Sequence, residues 1–217
     1  AAAVLHGGLP IARRVAGPRR AVTAAVTRAA LWVGAERLAV GAFVVTFAIW
    51  CHEVRHLGDR HTGALVTCFV ATFAAATYPL GRLADRAGAS RVARAGLAAL
   101  GMAFLALTAC PTAALPVLLA LAGVASGAAY GAAMGVVVRG SPAERAATAM
   151  GVLHAAGSAG MLLGTAGAGV LAVVVRHHAP GASPAPLVFA AAAIAQLAVA
   201  ATTTDELTQE VPCPRSA

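Results

Sequence analysis

The densest chemical spacing in the chain is His52-Glu53-Val54-Arg55-His56. On a helix, histidines at i and i+4 share a face and can hold one metal ion, with the glutamate as general base toward a metal-bound water. A working site needs a third ligand. His177 and His178 fall on the same side of the chain's expected topology, His61 is one residue short of the longer histidine spacing, and Asp85 and Glu144 fall on the opposite side. A short histidine-rich stretch meets such a pattern easily by chance, so a solvated loop without metal is the plainer reading. A second group consists of polar residues inside apolar runs: Glu36 and Arg37, then Ser126, Tyr130, His154, Ser158 and Gln196. Ionisable groups at membrane depth are costly and mark solute or proton pathways. Adjacent opposite charges close to a span end also reach the interface by snorkelling, which is the structural reading preferred for Glu36 and Arg37. Of the others, His154 has the side-chain type suited to proton relay, while lone polar residues in spans commonly bond to backbone carbonyls or neighbouring helices.

These residues need elements to hold them, and composition decides which kind. Hydrophobic residues make up 59% of the 217 and charged ones 11%, far more apolar surface than a soluble fold can bury. Runs at 31–51, 62–80, 95–110, 113–138, 146–175 and 187–203 each approach the roughly 20 residues that cross a bilayer as a helix. The expected fold is an all-α integral membrane domain, 30–203, of six transmembrane helices. A basic leader at 1–29 precedes it and a polar tail at 204–217 follows. Pro111 and Pro116 divide the long run after Ala95 into two spans. Gly123, Gly127, Gly131 and Gly135 bare one face of the fourth span, and Gly157, Gly160, Gly164, Gly167 and Gly169 thin the fifth, as close helix packing requires.

All 16 basic residues are arginine, and the net charge is +8. Nucleic-acid binding would need an aromatic and basic surface or a groove-reading motif, and neither accompanies the charge. Only Arg55, Arg60 and Arg176 fall in the loops on one side; the remaining arginines fall on the other. By the positive-inside rule the richer side, with both termini, is cytoplasmic. The cysteines at 51, 68, 110 and 213 lack paired spacing and read as free thiols, although Cys51 and Cys110 share a side. No phosphate-binding Gly-Lys-Ser/Thr loop appears, and Gly123-Val124-Ala125-Ser126 is misspaced for a serine nucleophile turn, so neither enzyme activity nor a cofactor is expected.

Between the second and third spans stands Gly81-Arg82-Leu83-Ala84-Asp85-Arg86-Ala87-Gly88-Ala89-Ser90-Arg91. Gly81 offers bare backbone for close approach, Asp85 suits the positive end of a neighbouring helix, Gly88 permits a tight reversal, and the arginines face anionic headgroups. This order resembles the Gly-x-Leu-Ala-Asp-Arg-x-Gly-x-x-Arg signature of major facilitator superfamily transporters. The charged turn Ser141-Pro142-Ala143-Glu144-Arg145, leading into a glycine-rich span, is similar to that family's connection between the fourth and fifth helices of a half. The resemblance implies a half bundle of two inverted three-helix repeats, with Asp85, Arg86 and Arg139 in a cytoplasmic gating network and Gly81, Gly88 and Arg91 as the motif positions beside it; the alternative for these exposed charges is a topology signal of little energetic worth. The resemblance also implies a solute pathway near the midplane, with Glu36, Arg37, Ser126, Tyr130 and His154 as candidates. Two departures, Thr165 where the family's antiporter motif has proline and the uncharged surroundings of Ala122-Gly123 in the fourth span, suit a carboxy-terminal half, helices seven to twelve.

The expected function is secondary transport of a small solute by alternating access, with efflux of hydrophobic or drug-like compounds as the suggested direction. Expected partners are the lipid bilayer, the missing half or a second copy, the solute and a coupling ion; the expected location is a bacterial inner membrane. The first residue is not Met, consistent with a fragment. The alternative reading is a membrane-embedded zinc metalloprotease acting through His52, Glu53 and His56.

Overall fold

A computed structural model describes residues 24–203. The leader to residue 23 and the tail from residue 204, with Cys213, lie outside the described residues. The described chain is helical, with no strand: α1 (Ala24–Glu53), α2 (Asp59–Ala87), α3 (Ala89–Leu107), a short 3-10 turn at Thr112–Ala114, α4 (Leu115–Gly140), α5 (Ala143–His178) and α6 (Ala185–Thr202). All six are long and apolar enough to cross a membrane. Proline begins three of them, Pro116 and Pro186 in the first turns of α4 and α6 and Pro142 just before α5, where a missing N–H costs nothing.

Several helices outrun the apolar segments that announce them. At 1.5 Å per residue, the 30 residues of α1 extend about 45 Å and the 36 of α5 about 54 Å, against ~30 Å of hydrocarbon. The segment from Gly81 to Ala87, which reads as a charged turn, is the end of α2, and the reversal narrows to Gly88. Nothing between Leu80 and Ala87 breaks a helix, so the helix continues into the polar zone until Gly88 adopts φ 96°, a region closed to most L-residues.

Packing follows a two-fold pattern. α1 lies along α5 as α4 lies along α2; α3 packs on α4 as α6 packs on α1; and α3 meets α6. Exchanging α1, α2 and α3 for α4, α5 and α6 reproduces the set, as expected of inverted three-helix repeats. Both seams of this symmetry are glycine seams. A Cβ on Gly160 or Gly164 would run into the backbone of Gly34 or Leu38 on α1, and one on Gly123 or Gly131 into the backbone of Phe69 or Thr77 on α2. Without a hydrophobic force between helices in lipid, backbone-to-backbone van der Waals contact of this kind drives association.

Toward one end of the bundle, Phe43 stacks with Phe47 at 4.7 Å and Phe104 at 5.6 Å, and Trp50 and Phe189 complete an aromatic core. Toward the other, the core is mostly alanine with Trp32, Leu97 and Leu153, and Trp32 Nε1 donates to Thr203 Oγ1 at 3.1 Å. Helices α2 and α5 bury the least of their apolar windows, 17% and 22%. They leave Val70, Tyr78, Leu162, Leu163 and Val170 exposed on the bundle surface.

Candidate functional site

Glu36 stands twelve residues after the start of α1 (36 − 24) and seventeen before its end (53 − 36), near the middle of the rod. Snorkelling, expected from a span beginning at residue 31, does not occur. α1 starts a full two turns earlier, which carries Glu36 into the bundle with no exposed surface. Ser126 Oγ, on α4, donates a hydrogen bond to Glu36 Oε1. Arg37 Nε lies 3.3 Å from Glu36 Oε2 in ion-pair range, but misaligned, so that Oε2 has no hydrogen-bond partner.

Arg37 points the other way from its neighbour's burial: its side chain is 26% exposed and its guanidinium sits over two rings. The carbon Cζ is 4.9 Å from the Tyr130 ring centre and 5.2 Å from that of Phe73. The two rings meet edge to face at 5.7 Å, forming a corner that attracts a cation through its electron-rich faces. Gly157 of α5 makes the room. A Cβ there would press on Val33 Cγ1 at 3.1 Å and Arg37 Cγ at 3.4 Å. Behind α1, Gln196 Nε2 of α6 donates to the Ala35 carbonyl at 2.5 Å, bracing the turn that carries Glu36.

In front of Arg37 opens a cleft of ~490 Å³ between α1, α4 and α5, lined by Val33, Arg37, Tyr130, His154, Ser158 and Leu162 among others. That size suits a small organic solute. Of the residues nominated from three helices, Arg37, Tyr130 and His154 line this cleft with Ser158, while Glu36 and Ser126 are buried beside Arg37 and Gln196 braces α1 from behind. Phe73 was not among them. One phenylalanine in an apolar helix carries no signal in sequence, and only the packing of α2 on α4 turns it toward Arg37.

The hinge residues form a separate cluster. Asp85, near the end of α2, accepts a hydrogen bond from Arg139 Nη1 in the last turn of α4, and both side chains are 47% exposed. Its bonded partner is thus a side chain, brought within reach because α2 and α4 pack along each other. Gly81 faces Gly131 across this seam, a Cβ on Gly81 coming 3.5 Å from the Gly131 carbonyl oxygen. Arg86 and Arg91 are exposed.

The opposite end carries the His-Glu-x-x-His segment, and the geometry does not support the metal reading. α1 ends at Glu53, and His56 has φ 53°, so the two histidines do not share a helical face. Glu53 is occupied by Arg176, whose Nη2 lies 2.9 and 3.1 Å from its oxygens. Among the described residues, no three His, Cys, Asp or Glu side chains are grouped to hold a metal. His177 and His178 pack on each other instead, ring centres 5.0 Å apart. Nearby, Arg55 lies over Trp50 at 4.5 Å and donates to the Cys110 carbonyl at 2.6 Å; Cys51, Cys68 and Cys110 are free thiols.

Neither a curated protein nor a solved structure matches the chain. A family model described as Major Facilitator Superfamily matches residues 29–212, from the first turns of α1 through all six helices. With that match over most of its length, six membrane-type helices and the paired glycine seams, the chain belongs to the Major Facilitator Superfamily, a family of membrane transporters and not of enzymes.

Proposed function

We propose that this chain is one six-helix half of a secondary transporter that moves a small, apolar-bodied solute by alternating access. The observation that carries this reading is the fully buried Glu36 at mid-helix, paired with a partly exposed Arg37 that lines a cleft between α1, α4 and α5. A buried ion pair is weak as a source of stability and is retained where function needs it. The sparsely covered α2 and α5 favour a second half, or a second copy, facing them. In such an arrangement solute sits at the midplane and the halves rock around it. The Asp85 to Arg139 contact fastens the ends of α2 and α4, and in this reading it belongs to the cytoplasmic gate together with Arg86 and Arg91. Arginine distribution supports cytoplasmic termini, and efflux is the preferred direction for hydrophobic solutes.

The test is reconstitution of the chain in proteoliposomes, alone and with a partner half, following solute flux under an imposed ion gradient. Flux that needs the second half and is lost on Arg37→Gln is the expected result. No flux under any pairing, in vesicles where the chain is inserted and folded, would overturn the reading.

A further inference from the structure

Resting on that transporter reading, we propose that the Glu53 and Arg176 pair is a second latch, at the end of the bundle opposite Asp85 and Arg139, whose release lets the last turns of α5 swing away from α1. Arg176 Nη2 lies 2.9 and 3.1 Å from the two carboxylate oxygens of Glu53, tying the end of α5 to the end of α1. The tie falls where the two-fold pattern of the bundle puts it. Exchanging the repeats carries α2 onto α5 and α4 onto α1. Asp85 stands two residues before the end of α2 and Arg176 two before the end of α5, while Arg139 and Glu53 stand in the final turns of α4 and α1. The positions correspond and the charges are exchanged: acid on α2 with arginine on α4 at one end, arginine on α5 with acid on α1 at the other. A carboxylate in the last turn of a helix opposes the helix dipole, so at each end an arginine from the packed neighbour offsets a charge that is otherwise misplaced.

What the two latches hold differs. Along α2 and α4 the backbones stay close almost to the pair, for Gly81, one turn before Asp85, still faces Gly131. Along α1 and α5 the contact ends sooner. Gly160 faces Gly34 and Gly164 faces Leu38, the latter about three turns before Arg176. Beyond them a cavity of ~110 Å³ opens between Thr46 and Trp50 of α1, Ala168 and Ala172 of α5 and the start of α6, with Arg176 in its wall. A cavity of that size has room for a few waters. Gly167 and Gly169 lie in the stretch of α5 between the seam and the pair, and a Cβ on either would meet nothing, so neither is pinned by a neighbour. Glycines so placed lower the resistance of a helix to bending.

The Arg176 and Glu53 side chains are 55% and 48% exposed, so the pair contributes little to stability and parts at low cost, as a switch requires. Its release opens the seam between two of the helices that wall the Arg37 cleft, which makes the end of α5 an element of this half that moves between states.

The reporter is Thr46→Cys, a buried position facing the cavity, in a background without the native cysteines. The full chain in lipid nanodiscs, where both faces meet solvent, is labelled with a water-soluble maleimide. Neutralising the latch in Glu53→Gln or Arg176→Gln should raise the labelling rate roughly two- to fivefold, the shift an exposed ion pair can impose on a two-state equilibrium. Exchanging the charges, Glu53→Arg with Arg176→Glu, should return the rate to its starting value, and Asp85→Asn should leave it unchanged. With both latch residues intact, salt at about 1 M should also raise the rate, and that effect should vanish in Glu53→Gln. The salt measurement keeps the test decisive should a latch variant misfold. An unchanged rate in the neutralised chains, no recovery on charge exchange, no salt effect on the intact latch, or an equal rise in Asp85→Asn overturns the proposal. Labelling is read without transport, so normal flux with an unchanged rate removes only the latch, whereas a working latch in a chain that moves nothing with any partner removes only the transporter reading.

Discussion

Glu36 and Ser126 show how one hydrogen bond reports on a whole site. Among the described residues, the serine hydroxyl is the sole hydrogen-bond donor to a carboxylate with no exposed surface. Removing it in Ser126→Ala orphans both oxygens, and a hydrogen bond to a charged group contributes about 1.5–3 kcal/mol. We expect a loss of that size in denaturing-detergent titrations followed by circular dichroism. Gln196→Leu makes the informative contrast. Gln196 already leaves its Oε1 buried without a partner, so replacing the amide with an apolar group of similar size removes a bond and an unmet acceptor together. The expected change is under ~1 kcal/mol. Residue types were enough to nominate these positions, and the apolar sequence around them was enough to place them at membrane depth. Their mutual contacts were not legible, since Glu36 and Ser126 are ninety positions apart.

At the scale of elements, the glycines of α5 divide by what lies across from them. Gly160 and Gly164 face the backbone of α1, while a Cβ on Gly167 or Gly169 would meet nothing. Gly164→Leu should therefore separate α5 from α1, with a loss of about 1–3 kcal/mol or outright misfolding. Gly167→Leu should stay within ~0.5 kcal/mol in the isolated chain. The same detergent titration distinguishes them, and equal losses would count against the packing account. Gly88 is a different case, since space is not its constraint. At φ 96° any side chain is strained, and Gly88→Ala should cost about 1–2 kcal/mol while leaving the helix content of α2 and α3 unchanged. Hydropathy located the spans, and the helices α1, α2 and α5 run past their apolar stretches at both ends. Polar residues past the hydrocarbon edge remain good helix formers, and a hydropathy pattern stops where the helix does not.

For the whole molecule, the Asp85 to Arg139 contact separates stability from switching. Both partners are about half exposed, and pairs of that kind contribute under ~1 kcal/mol. Asp85→Asn should leave unfolding almost unchanged; a large drop in flux by the complete transporter would then mark an altered balance between its inward and outward states. Unchanged flux would remove the gating role. Topology is tested by placing single cysteines at Ala87 and Pro180 in a background without the native ones, with labelling of the first from the cytoplasmic side and of the second from the outside as the expected outcome. The sequence by itself determined that the chain lives in a membrane, that it crosses as six helices, and that its charged hinge resembles one transporter family, because hydrophobic runs, charge bias and a local motif are properties of neighbouring residues. Tertiary structure alone decided that Glu36 is buried at mid-helix instead of snorkelling, that Phe73 and Tyr130 hold Arg37, and that His52 and His56 do not share a helical face. Each of these depends on where helices begin, end and rotate against one another, and that is settled by backbone contact between elements far apart in the chain.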